Sequence, residues 1–178
     1  MKHLCGIAPP SGWHEDRVRG LWYPSDIAAR VELQETARAE GKALAVVIIW
    51  NETGEVVGVT GYARMEPPGT SGRRAELGII TDVDFVSGRG WKSLGTEALH
   101  AASKYAFEEL EGVEEITLVT HQKNEEMRGW SEKVAGLTPT LTVEELGQVA
   151  WYGYTRERWR MKGGVRDRLE AKLERLKS

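Results

Sequence analysis

Arg89-Gly90-Trp91-Lys92-Ser93-Leu94-Gly95-Thr96-Glu97-Ala98 places two glycines and a small serine where a long helix is due to begin. From Lys92 to Leu110 the apolar positions Leu94, Ala98, Ala101, Ala102, Tyr105 and Ala106 recur at spacings of three and four, one helical stripe. Gly112 closes that helix. The first turn of a helix carries unpaired backbone N–H groups and a partial positive charge, and small residues let an anion approach them. Arg89 and Lys92 add charge at the same place. Taken alone, the stretch reads equally as a phosphate cradle or as a glycine-containing surface loop.

Before this stretch the texture is that of strands. Ala43 to Trp50 is β-branched and apolar, Asn51-Glu52-Thr53-Gly54 supplies a turn, and Glu55 to Met65 returns as a hairpin. Pro67 to Gly72 is a loop, and Arg74 to Thr81 a third strand. Upstream, Ser25-Asp26 opens a helix over Ile27 to Glu40 that Gly41 stops, and Trp13 to Trp22 reads as a shorter helix. Downstream, Glu115 to Thr120 reads as a strand, Asn124 to Val134 as a helix and Gln148 to Trp159 as a final strand. Val165, Leu169, Leu173 and Leu176 share one face of a charged tail helix, suited to dimerisation or to docking on its own domain. An antiparallel meander followed by strand–helix–strand predicts a mixed α/β sheet flanked by helices.

With 178 residues, of which 40% are hydrophobic, the chain predicts one globular domain. We divide it into a domain over 1–162 and an amphipathic tail over 163–178. Lys+Arg 24 against Asp+Glu 27 gives a formal charge of -3, so nothing in the charge balance points to nucleic acid. The lone Cys5 cannot close an intramolecular disulfide. No apolar run approaches the roughly 20 residues of a membrane span, and the first residues are too short and mixed for a signal peptide. The expected location is the cytoplasm. No spacing of His, Cys, Asp or Glu predicts a metal site.

Several segments in register carry a resemblance. They are Arg74-Ala75-Glu76-Leu77-Gly78-Ile79, the 89–98 stretch, Tyr105-Ala106-Phe107, Asn124 with Glu132-Lys133-Val134-Ala135-Gly136-Leu137, and Thr155-Arg156-Glu157-Arg158-Trp159. From Ala43 to Trp159 they resemble the GNAT acetyltransferase superfamily, and the last segment resembles the branch that acetylates ribosomal-protein N-termini. The resemblance implies a mostly antiparallel sheet with two parallel, splayed central strands. It also implies acetyl-CoA as co-substrate and an amine acceptor, either a protein N-terminus or a small molecule. Against the family's Arg/Gln-x-x-Gly-x-Gly/Ala loop, Gly90 falls on the Arg/Gln position, Ser93 on the middle glycine and Gly95 on the last small residue. Arg89 comes one place early. Val134-Ala135-Gly136 carries one residue more than the family pattern.

The resemblance implies direct attack of the amine on the thioester, without an acyl-enzyme. Glu76 is the candidate base. Backbone N–H groups near Ile79 and Ile80 would bind pantetheine and polarise the carbonyl. The phosphates fall to Arg89, Gly90, Trp91, Lys92, Ser93, Leu94, Gly95 and Thr96, with the backbone amides leading and Arg89 and Lys92 as accessories. Asn124 would meet the pantetheine arm or cap a helix. Ser131 falls where the family places its proton-donating tyrosine; the competing role is a small residue packed on the sheet. Glu76 competes with a plain pairing to Arg73 or Arg74. His121 serves as a base or as a solvent-facing strand end, and His100 reads as part of a solvated face with Lys104 and Glu108. Trp13, Trp22, Tyr23, Trp151, Tyr152 and Tyr154 line an acceptor pocket or pack the core. The departures in the loop and the missing tyrosine keep a second reading open, an acyl-CoA-binding module without catalysis.

Overall fold

The computed structural model describes residues 24–82, 93–144 and 147–177. Expectations for Cys5, His3, His14, Trp13 to Tyr23 and Arg89 to Lys92 therefore lie outside the described residues. The elements run α1 (Pro24–Ala39), β1 (Leu44–Ile49), β2 (Val56–Met65), β3 (Arg73–Thr81), α2 (Leu94–Glu108) and β4 (Val113–His121). Then follow α3 (Glu125–Gly129), a single π-helical turn (Trp130–Val134), β5 (Thr140–Glu144), β6 (Gly147–Thr155), α4 (Arg156–Arg160) and α5 (Val165–Lys177). The described strands form a sheet in the order β1-β2-β3-β4-β6-β5. All neighbours are antiparallel except β3 and β4.

Alternation along the strands separates two faces. Ala75, Leu77, Ile116, Leu118, Tyr152 and Tyr154 are buried on the face that α2 covers. There the Tyr62 hydroxyl donates to the Ala102 carbonyl, and the Tyr154 hydroxyl shares a 2.6 Å hydrogen bond with Ser103. Arg74, Glu76, Glu115, Thr117, Trp151, Gly153 and Thr155 alternate onto the opposite face. Arg73, 4% exposed, turns its guanidinium onto the carbonyls of Gly41, Glu66 and Glu111, so one side chain fastens three chain reversals. Gly61 has φ +132 and lies so close to the Leu44 carbonyl that no side chain fits between β1 and β2 there.

Four expectations need correction. The last strand stops at Thr155 rather than Trp159, because the Thr155 hydroxyl accepts from the Arg158 N–H at 3.2 Å and starts α4. The Asn124–Val134 helix changes from α to π geometry at Trp130, which absorbs one extra residue in that segment. Thr140–Glu144, left unassigned in the sequence, is the edge strand β5. His100 does not sit on a solvated face: its ring lies 5.5 Å from that of Trp159, with Nε2 3.5 Å from Glu170 on α5. The tail helix docks on its own domain, burying Val165 and Leu169 in the core that α2 shares.

Candidate active site

β3 and β4 pair only over Arg73–Glu76 against Val113–Thr117. Beyond that point β3 stays with β2 as far as Thr81, and β4 stays with β6 as far as His121. The sheet therefore opens into a V whose apex lies at Glu76 and Thr117. In an antiparallel pair, alternate residues direct their N–H and C=O away from the partner strand. Along Leu77–Thr81 these groups face the gap, as do their counterparts on β4. Ile79 and Ile80, both half-buried, lie on this splayed stretch. A Cβ built on Gly78 meets nothing within 4 Å. An isolated glycine inside a strand is the sequence signal for close approach by a ligand, and the sequence reading did not use it.

At the start of α2, Ser93 sits in the cap position but its side chain makes no capping hydrogen bond. The first intrahelical bond runs from the Glu97 N–H to the Ser93 carbonyl at 2.8 Å, so the N–H groups of Leu94, Gly95 and Thr96 precede the helical ladder. A Cβ on Gly95 would also enter open space. Leu94, the first residue of α2, is buried. Thr96, 3% exposed, accepts at 3.2 Å from the indole N–H of Trp130. This bond, invisible in sequence, ties the helix start to the π turn. Open N–H groups beside a space that a Cβ would fill fit a pyrophosphate, and the V fits an extended thioester arm.

Asn124 caps α3, its Oδ1 accepting from the Met127 N–H at 3.1 Å. His121, exposed, spends Nδ1 on the Lys123 N–H at 3.1 Å, which supports the strand-end role. Ser131, in the π turn, is fully buried, and its hydroxyl finds no hydrogen-bond partner among the described residues. Beside it Glu132 accepts from the Tyr152 hydroxyl at 2.8 Å and from Arg128 at 3.1 Å, while Arg128 also donates to the Gln122 carbonyl. The Tyr152 bond, followed by Arg128, holds the Glu132 carboxyl below its ordinary value. Burial, then the same bond, pushes the Tyr152 hydroxyl up. Arg74 pairs with Glu66 at 2.8 Å, and Glu76 is half-buried at the apex. Tyr152 and Tyr154 belong to the core, while Trp151 lies on the face away from α2.

The chain matches the sequence profile of the acetyltransferase (GNAT) domain over residues 12–136 and belongs to that family. It is thus an acyltransferase of a family that uses acetyl-CoA as donor. Its fold is shared with RimJ of Mycobacterium smegmatis, solved in complex with CoA-disulfide: TM-score 0.68, 17% identity, 93% of this chain and 75% of that one. A variant of the spermidine N-acetyltransferase SpeG from Vibrio cholerae gives 0.61 and 17%, covering 78% and 79%. The ribosomal-protein-S5-alanine acetyltransferase of Vibrio fischeri gives 0.59 and 12%, covering 78% and 75%. No curated protein sequence matches the chain. Among the described residues no helix is long and apolar enough to cross a membrane, and no cluster of side chains could hold a metal ion.

Proposed function

We propose that the chain acetylates a primary amine, of a protein N-terminus or a small molecule, by direct attack on acetyl-CoA. The observation that carries this reading is the V between β3 and β4, with a carboxylate, Glu76, at its apex. The cofactor supplies a thioester whose carbonyl carbon accepts the amine nitrogen and whose C–S bond then breaks. Glu76 takes the amine proton, directly or through water. Backbone N–H groups about Ile79 and Ile80 hold the pantetheine arm and stabilise charge on the carbonyl oxygen. The N–H groups from Ser93 to Thr96 hold the phosphates, and Arg89 to Lys92 extend that cradle by the family resemblance. Asn124, besides capping α3, faces the pantetheine arm. Ser131 supplies a proton to the departing thiolate; what supports this role is a hydroxyl with its bonding capacity unspent.

The test is release of free thiol from acetyl-CoA in the presence of peptides, polyamines, aminoglycosides and amino sugars. Turnover is expected with at least one amine class. Glu76→Gln should lower kcat by about 10²-fold or more while CoA binding persists. Tight CoA binding with no turnover of any amine would instead establish the non-catalytic module, and absence of CoA binding would end both readings.

A further inference from the structure

The face of the sheet away from α2 carries a second feature beside the apex. A polar hollow of about 410 Å³ lies over β4 and β6, lined by Glu115, Thr117, Thr140, Trp151, Gly153 and Arg158 among others. Its size falls within the range of ligand pockets. Its floor is Gly153: a Cβ there would stand 3.1 Å from the Glu115 Oε1. The glycine thus leaves room for the carboxylate to lie across the strand.

Register fixes where this hollow stands relative to the proposed base. Glu76 pairs with Thr117, and Thr117 with Gly153, in one row across three strands. Strands lie ~4.8 Å apart, so the hollow's floor is ~10 Å from the backbone of Glu76. An extended peptide advances ~3.3 Å per residue. A peptide whose amine lies at Glu76 and whose chain runs across β4 towards β6 would carry its second and third residues over the hollow. The charges suit a peptide better than a polyamine. Glu115 is the one carboxylate lining the hollow among the described residues, and Arg158 stands on the rim with one N–H committed to the Gly136 carbonyl. Threonine hydroxyls and a single carboxylate satisfy peptide N–H groups, whereas a string of ammonium groups would find one carboxylate and meet Arg158 on the rim.

We infer that this hollow is the acceptor subsite, seating the two residues that follow the acetylated amine of a peptide, with Glu115 accepting their N–H groups. The inference rests on the amine-acetylation reading above and adds the acceptor class and its contacts. It is tested on the full chain by steady-state thiol release with three acceptors: a tripeptide with a free α-amine, the amide of its first residue, and spermidine. The tripeptide should exceed the amide in kcat/KM by about tenfold or more, the scale set by a few added contacts in a fitted pocket. Spermidine should be the poorest of the three. Gly153→Val should reduce the tripeptide-to-amide ratio towards one, and Glu115→Gln should reduce it in part. CoA binding, read by calorimetry, reports whether each variant is folded. Equal use of tripeptide and amide, preference for spermidine, or a ratio untouched by both substitutions would overturn the subsite while leaving amine acetylation standing. Turnover of none of the three, nor of any other amine, would overturn both.

Discussion

A residue at the start of α2 separates two roles that are usually entangled. Gly95 has no positive φ and its Cβ direction is open, so Gly95→Ala adds a methyl group without strain. In a helix that exchange contributes up to about 1 kcal/mol. If the space holds phosphate, the same methyl group obstructs it. We expect Gly95→Ala to melt at the same temperature or higher, yet to bind CoA about tenfold more weakly, a loss of ~1.4 kcal/mol. Calorimetric titration beside a thermal melt reads both. Unchanged affinity would remove the helix start from the binding site. Ser131 makes a similar pair. Its buried hydroxyl costs folding energy while unpaired, so Ser131→Ala should leave stability unchanged or raise it by up to about 1 kcal/mol. Thiol release should nevertheless slow. A variant that is stabilised and fully active would assign Ser131 to packing.

Among the elements, the segment from the end of β4 through the π turn is bridged to the sheet by one carboxylate. Glu132 joins Tyr152 of β6 to Arg128 of α3, and Arg128 reaches the Gln122 carbonyl in the turn before Asn124. Its carboxyl is held below the ordinary 4.5. A carboxyl lowered on folding contributes stability above its unfolded value, and this is lost as pH falls through the folded value. The wild type should therefore lose melting temperature on acidification below about pH 5, and Tyr152→Phe should lose less over the same range. Melting curves from neutral to acid pH, wild type beside variant, decide this; parallel curves would show that the bond does not hold the segment.

This segment also shows where sequence reading stops. Its helix was legible from Asn124 and the Glu132-Lys133 pattern, and the extra residue at Val134-Ala135-Gly136 hinted at irregularity. The π turn itself was not legible, because five residues are too short a window to tell a π from an α period. β5 was missed although Thr140-Leu141-Thr142-Val143-Glu144 alternates with period two, since Pro139 and the nearby Gly136 make the region read as loop. The long strands and α2 were clear because their periodicities run over nine residues or more. The V was not written in any strand, since it depends on which neighbour each strand keeps. It entered the sequence reading only through the family resemblance.

At the scale of the whole molecule, the C-terminal helix is packed into the core against α2 and α4 rather than appended to it. Val165 and Leu169 are buried with Trp159, Phe107 and Tyr154 in one cluster. Amphipathicity identified the apolar face of α5 in the sequence, but its partner is set by the turn at Gly163 and Gly164. There the Gly164 N–H bonds to the Met161 carbonyl at 2.9 Å and a side chain at Gly164 would strike the Arg158 carbonyl. Leu169→Ala should cost about 2–5 kcal/mol of stability, read by denaturant unfolding. It should do so in a single transition that includes the sheet. A separate low-stability transition would make α5 an independent tail.

The central claim is that the gap between β3 and β4 and the start of α2 together hold the acetyl donor. Hydrogen exchange on the full chain, with and without saturating CoA, tests it most directly because both places expose backbone N–H groups outside the ladders. The account predicts that CoA slows exchange chiefly at Leu77–Thr81 and Ser93–Thr96. Protection confined to other segments, with these two unchanged, would contradict it.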